Sequence, residues 1–553
     1  MPTHTSAPSI VLDRVTFAWP DGSIALDQVS GSFGTGRTGL VGRNGSGKST
    51  LLRLIAGELA PSDGTVSRSA EVAYLPQRLT LEVDRPVAEL LGIAETLAAL
   101  RAIESGDVDP RHFDTVGSDW DIEARAEAAL GDAGLPPDAL HRHVGTLSGG
   151  EAVLVALAGI RLSGAPITLL DEPTNNLDRV ARARLYDMVR GWRGALIVVS
   201  HDVALLELMD DTAELHESAL SLFGGPYSQW RAWLDAEQDA AKHAERSAEQ
   251  AFRREKRDRI SAEATLAKRE RTGNKAQVEK RVPGIVAGLR KSSAQVSAGK
   301  LRGGMAGREA SARAAWDAAE RRVRDDEGIR IDLPDPGVPA GRRIATLDDG
   351  SRTFIIQGPE RVAIVGPNGV GKTTLLERLV GGADSKPDLE DPDTAPPADS
   401  AADRRSGAHA EALTDLVAYL PQRVDGLVDT ASVLDNVRAA APNVTPAELR
   451  NRLARFLIRG DAVERAVWTL SGGERFRVAL ARLLLSDPPP QLLVLDEPTN
   501  NLDLDTVDRL VEALAVYRGA VLVVSHDDAF LDRLGLDLRL ELGPDGSLTE
   551  IGG

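Results

Sequence analysis

The sequence predicts an α/β fold in which one domain is written twice, with a long α-helical hairpin between the copies. Three observations predict it. Short apolar runs of buried-strand length end in special turns in both halves: Thr38–Val41 and Val362–Val365 before glycines, Ile167–Leu170 and Leu492–Leu495 before Asp-Glu. Five motifs recur in one order, pairing Lys48 with Lys372, Gln77 with Gln422, Ser148 with Ser471, Glu172 with Glu497 and His201 with His526, at offsets of 324, 345, 323, 325 and 325 residues. Between the copies, Arg231–Gly328 has a composition of its own. Residues 1–230 and 329–553 are therefore expected to be the two domains, and 231–328 the connector.

The one deviating offset locates two insertions. The second copy carries 21 extra residues between Lys372 and Gln422, supplied by Ala383–Ala412, which is rich in Pro, Asp, Ala and Ser and reads as a disordered surface loop. The first copy carries 22 extra residues between Gln77 and Ser148. They fall within Leu91–Leu130, where Ala94–Ile103 and Ile122–Leu130 have helical composition, so a small helical arm is expected. In the connector, Ala232–Arg271 is dense in Ala, Glu, Gln, Lys and Arg, without proline or glycine, and predicts one long polar helix. Thr272–Gly307 is broken by glycines and Pro283, and Arg308–Glu327 is helical again. The expectation is two charged helices joined by a glycine-rich basic tip.

Composition narrows the function classes. The chain has no cysteine, which excludes disulfides, Cys-ligated zinc and iron–sulfur clusters. Its nine histidines show no ligand spacing, and the closest pair, His141 and His143, reads as solvated loop. No run approaches the ~18 apolar residues that span a bilayer. Met1–Ser9 has neither a basic region nor an apolar core, so no signal peptide is expected. The net charge of −18 is unevenly placed: residues 251–310 hold 16 Lys/Arg against 6 Asp/Glu, a local +10 on an acidic protein.

Gly42–Ser49 reads G-R-N-G-S-G-K-S and Gly366–Thr373 reads G-P-N-G-V-G-K-T, each after a strand and opening a helix. In such a loop Gly42, Gly45 and Gly47, like Gly366, Gly369 and Gly371, let backbone N–H groups of Asn44 or Asn368 and their neighbours approach phosphate without side-chain clash. The helix that follows, from Thr50 or Thr374, presents its positive end. Lys48 and Lys372 reach β/γ oxygens, while Ser49 and Thr373 can ligate Mg²⁺. At the strand ends, Asp171 and Asp496 would hold the ion, and Glu172 and Glu497 would polarise an attacking water. Both pairs continue Pro-Thr-Asn-Asn-Leu-Asp, which an ordinary strand cap does not require.

Leu147–Glu151 and Leu470–Glu474 both read L-S-G-G-E. With the two phosphate loops and the Asp-Glu strands, the chain resembles the ATP-binding cassette (ABC) superfamily over nearly its whole length outside the hairpin and the 383–412 loop. The resemblance implies two ABC-type P-loop nucleotide-binding domains that sandwich two ATPs head to tail. One ATP would lie between Lys48 and the signature Ser471, Gly472 and Gly473; the other between Lys372 and Ser148, Gly149 and Gly150. Gln77 and Gln422 match the coupling loop and a metal-ligand position, Asp178 and Asp503 the loop that meets the opposite P-loop, and His201 and His526 the switch histidine on γ-phosphate. Trp19 stands where the superfamily stacks adenine; near Ile329–Leu333 the second copy offers no aromatic.

Two cassettes without membrane segments, joined by a charged hairpin, resemble the ABC-F class. That likeness implies a cytoplasmic, monomeric ATPase that closes on ATP and binds the ribosome, its 251–310 segment meeting rRNA and P-site tRNA. The implied output is antibiotic-resistance ribosome protection or relief of stalled ribosomes. The Ala/Arg/Asp-rich, Lys-poor composition resembles actinobacterial resistance proteins of the class. The alternative is the ATPase half of a transporter acting with separate membrane subunits, which has no use for the hairpin. A DNA-repair ATPase of the superfamily is disfavoured by the missing cysteines.

Overall fold

The computed structural model describes residues 9–77, 79, 84–175, 177–278, 284–324, 334–381, 407–422, 426–456, 458–470, 472–500 and 502–551. It divides into two compact units: Met1–Tyr227 with Ile329–Gly553, and Ser228–Gly328.

The first domain begins with β1 (Ile10–Ala18) and β2 (Ile24–Phe33), an antiparallel pair that alternates buried and exposed residues and so keeps one wet face. β3 (Gly36–Val41) runs into the glycine loop and α1 (Lys48–Ala56) leaves it. β4 (Asp63–Arg68) returns to β1, giving a sheet of order β2-β1-β4, and β5 (Val72–Leu75) starts the central sheet. After α2 (Val87–Leu90), the stretch where an arm is expected holds α3 (Ala94–Glu104), α4 (Pro110–Val116) and α5 (Ile122–Asp132). α5 buries Ala126 and Leu130 in one core with Leu154 and Leu157 of α6 (Gly149–Ser163).

The rest of the domain is β6 (Ile167–Asp171), α7 (Arg179–Arg190), β7 (Ala195–Val199), α8 (Val203–Leu206), β8 (Asp211–His216) and β9 (Ala219–Gly224). β6 and β7 are buried at every residue, as parallel strands covered on both faces must be. The central order is β5-β6-β7-β3-β8-β9, parallel except for β9. β3 therefore sits mid-sheet beside β7, and the loop after it opens at the carboxyl ends of the strands, where α/β sheets bind ligands.

In the second unit, α9 (Tyr227–Val278) and α10 (Gly284–Glu320) run 52 and 37 residues. Phe252 stacks on Trp316 with ring centroids 5.6 Å apart, and the Arg313 guanidinium lies over both rings. Arg259 joins the helices through Glu309. Of the expected breakers, Gly273 lies inside α9 and Gly299, Gly303, Gly304 and Gly307 lie inside α10; Pro283 lies outside the described residues. Each glycine disfavours helix by about 1 kcal/mol relative to alanine, the adjacent Gly303 and Gly304 included, and Ala, Leu, Met and Arg around them carry the helix through.

The second domain repeats the plan: β10 (Arg343–Asp348), β11 (Thr353–Gln357), β12 (Arg361–Val365), α11 (Lys372–Gly381), β13 (His409–Ala412), β14 (Val417–Leu420), α12 (Val433–Ala440) and α13 (Pro446–Ala454). Then follow α14 (Gly472–Leu484), β15 (Leu492–Asp496), α15 (Leu504–Val516), β16 (Ala520–Val524), α16 (Asp528–Arg533), β17 (Leu538–Leu542) and β18 (Leu548–Glu550). Its sheets have the same orders, β11-β10-β13 and β14-β15-β16-β12-β17-β18. The last four residues of the expected surface loop form β13, because β10 needs an edge partner in the role β4 plays for β1; residues 382–406 lie outside the described residues. Among the described residues no helix is long and apolar enough to cross a membrane.

Candidate nucleotide sites

The two phosphate loops are shaped by their glycines. Gly42 and Gly47 have φ of 149° and 95°, and a Cβ on either would come within 2.6 Å of Leu215 O or the Leu26 side chain. Gly366 repeats the first of these contacts against Leu542 O, and Gly45, Gly369 and Gly371 are likewise at positive φ. Lys48 Nζ donates to Gly42 O and Arg43 O at 2.6 and 3.0 Å; Lys372 Nζ donates to Gly366 O and Pro367 O at 2.9 Å each. Both lysines are buried, which lowers their pKa.

Behind each loop stands a hydroxyl–carboxylate pair. Ser49 Oγ donates to Asp171 Oδ1 at 3.1 Å, and Thr373 Oγ1 to Asp496 Oδ2 at 2.8 Å. Tyr74 adds a bond to Asp171 at 3.3 Å. Among the described residues no group of three His, Asp or Glu could hold an ion by itself. A hydroxyl and one carboxylate nevertheless suit Mg²⁺, which keeps waters and takes phosphate oxygens for most of its shell.

Glu172 and Glu497 follow β6 and β15 at φ of 52° and 46°, a region non-glycine residues seldom enter. Their N–H groups donate to Val199 O and Val524 O at 2.8 Å, so the neighbouring strand fixes the turn. His201 Nε2 lies 3.1 Å from Glu172 Oε1 and His526 Nε2 3.4 Å from Glu497 Oε1. Burial pushes Glu172 up to about 8 and Glu497 up to about 7, and pushes His201 and His526 down to about 3 and about 4. Beyond these histidine contacts, no hydrogen bond reaches the buried Glu172 Oε1 or Glu497 Oε1.

The halves meet through crossed contacts. Asp503 caps α15 by accepting from Thr506 N–H at 2.9 Å, and its other oxygen accepts from Asn44 N–H at 2.9 Å. Asp178 caps α7 through Ala181 N–H and accepts from Asn368 N–H at 3.4 Å. One carboxylate thus ends its own helix and touches the opposite loop. A cavity of about 1150 Å³ brings together Lys372, Thr373, Thr374, Asn368, Gly369 and Gly371 with Ser148, Gly149 and Gly150 of the first half. Gln77, Gln422, Asp496, Glu497 and His526 line it too. Ser148 is the N-cap of α6 in a reciprocal box with Glu151, which gives the glutamate of L-S-G-G-E a job the sequence reading missed. On the other interface a Cβ on Gly473 would lie 3.4 Å from Asn44 Nδ2; Gly472 opens α14, and Ser471 lies outside the described residues. Thr50 is buried in α1.

Trp19 is partly exposed at the β1–β2 turn, edge-on to Phe17 at 5.0 Å. Ile329–Leu333 lies outside the described residues. In the fold the counterpart of the Trp19 turn is Asp349–Arg352, between β10 and β11, and it contains no aromatic. Arg182, which sequence reading also missed, lines the cavity from α7.

The ABC transporter family matches residues 26–175 and 351–500, each containing one of these loops. Similar proteins include a tylosin resistance ATP-binding protein of Streptomyces fradiae, 32% identical over 95% of this chain and 96% of its own. The energy-dependent translational throttle protein of Mycobacterium tuberculosis is 29% identical over 92% of this chain and 87% of its own. Among solved structures, an archaeal ribosome recycling factor crystallised with a ribosomal stalk protein covers 97% of this chain and 89% of its own at TM-score 0.53 and 20% identity, a likeness of fold. With two matched cassettes, no membrane-crossing helix among the described residues, and relatives along almost the full length, the chain belongs to the ABC-F class of ATP-binding cassette proteins.

Proposed function

We propose that the chain is a Mg²⁺-dependent ATPase that acts on the ribosome, closing its cassettes on two ATP molecules and reopening as they are hydrolysed. The crossed bonds from Asp503 to Asn44 and from Asp178 to Asn368 carry this reading, since each phosphate loop is completed by a carboxylate of the other half. The substrate's phosphates would be wrapped by loop N–H groups and Lys48 or Lys372, and capped across the interface by the N-termini of α14 or α6. Glu172 and Glu497 would align the attacking water, with His201 and His526 orienting them. Ser49 with Asp171 and Thr373 with Asp496, beside Gln77 and Gln422, would hold Mg²⁺, which supplies countercharge to the phosphates.

Ribosome action is supported by the +10 segment at 251–310 on an otherwise acidic chain and by the translational relative. We assign contact with rRNA and P-site tRNA to that segment, in a cytoplasmic protein that pairs its cassettes within one chain and needs no second copy. The full-length Streptomyces relative favours drug protection over stall relief as the output. The test is co-sedimentation of the Glu172→Gln/Glu497→Gln variant. It should pellet with ribosomes in ATP and stay in the supernatant in ADP. Retention in the supernatant with ATP, or flotation with membranes, would overturn the reading. Expression in a macrolide-sensitive host should raise tolerance to tylosin; unchanged tolerance despite ribosome binding would assign stall relief instead.

A further inference from the structure

Arg182 lies four residues after Asp178, and its side chain reaches out of its own cassette. Nη1 donates to the His526 carbonyl of the second cassette at 3.3 Å and lies 3.7 Å from Asp202 Oδ2, while Nε donates to Leu177 O at 3.2 Å. Asp202 is the residue after His201, and it is held by Tyr186 Oη at 2.6 Å and by Leu205 N–H at 3.1 Å. The Arg182 side chain is 13% exposed, and the residue lines the cavity shared by Lys372, Glu497 and His526. One arginine therefore ties the loop behind its own switch histidine to the switch histidine of the other cassette.

The repeat has no second copy of this device. Four residues after Asp503 stands Val507, aliphatic and buried. The charges facing Glu172 are Lys48, Asp171 and Asp202, with His201 beside it. Glu497 faces Lys372, Asp496 and His526, and also Arg182.

We propose that Arg182 is a positioning residue acting in trans, so that turnover at the Lys372 site, and not at the Lys48 site, depends on the first cassette being docked against the second. A guanidinium suits this task because its planar fork serves a carbonyl and a carboxylate at once, which an ammonium cannot do in fixed geometry. The proposal rests on the ATPase reading above.

The experiment is steady-state ATP hydrolysis by the full chain for wild type, Arg182→Ala and Arg182→Lys, with Arg182→Ala repeated in Glu172→Gln and Glu497→Gln backgrounds. Arg182→Ala should lower kcat by about tenfold or more while KM changes by less than about threefold, the pattern of lost transition-state positioning. Arg182→Lys should recover only part of kcat. In the Glu172→Gln background the alanine change should still be felt; in Glu497→Gln it should not. An unchanged kcat, or equal loss in both backgrounds, would overturn the proposal. Should neither background turn over, the lysine variant decides: a kcat equal to wild type would overturn the proposal, because an ammonium does not serve both acceptors in fixed geometry. A wild-type chain without ATP hydrolysis would instead remove the ATPase reading itself.

Discussion

Glu172 is a single buried carboxyl, 7% exposed, whose pKa is raised to about 8 by loss of hydration. Its folded value lies above the unfolded one, so the stability tied to its proton is full at low pH. That stability falls as pH rises, by at most about 1.4 kcal/mol per unit, until the folded pKa is passed. Glu172→Gln removes this dependence. In the nucleotide-free protein its stability advantage over wild type should therefore grow from pH 5 to pH 8, read from denaturant midpoints; a constant difference would show that the carboxyl is not held neutral. The identity of Glu172 and its partners Lys48, Asp171 and His201 was legible in the sequence because each occurs twice at one spacing. The positive φ of Glu172, the helix-capping role of Asp178 and Asp503 and the reach of Arg182 were not. The first depends on Val199 of the neighbouring strand and the last on His526 of the other cassette, and no local pattern encodes them.

At the scale of elements, strands β3 and β6 and their repeats β12 and β15 were legible as short, mainly apolar runs. Two elements were not. β13 has the composition of the loop before it and is a strand only because β10 pairs with it. Helix α10 runs through Gly299, Gly303, Gly304 and Gly307, where local propensity argues for a break. A Cβ at Gly303 or Gly304 would meet nothing within 4 Å. Gly303→Ala and Gly304→Ala should therefore each stabilise the helix by up to ~1 kcal/mol, seen as greater far-ultraviolet ellipticity and slower amide exchange in α10. Unchanged exchange would mean that packing, and not glycine, limits this segment.

At the scale of the whole molecule, the two cassettes and the acidic–basic division were readable from counting alone, whereas the meeting of the cassettes was expected only from the family resemblance. If the basic segment meets RNA phosphate, ribosome binding should weaken steeply with salt. Replacing Arg254, Arg257, Lys268 and Arg269, all exposed on α9, with glutamine should flatten the slope of log K against log salt by about 3. An unchanged slope would place the contact elsewhere. ATP hydrolysis without ribosomes should be unaffected, because the phosphate loops lie in a different compact unit of the chain.

The left-handed backbone at Glu172 and Glu497 carries an evolutionary corollary. Glycine or asparagine would sit there with less strain than glutamate, so under the proposed mechanism mutation toward a more stable fold would run against catalysis at both positions. In a descendant that no longer needed one of its two hydrolytic events, that glutamate would be the first motif residue to drift, and it would drift toward the residues its backbone prefers. Glycine or asparagine at one position, with glutamate kept at the other, would be the imprint of a retired site.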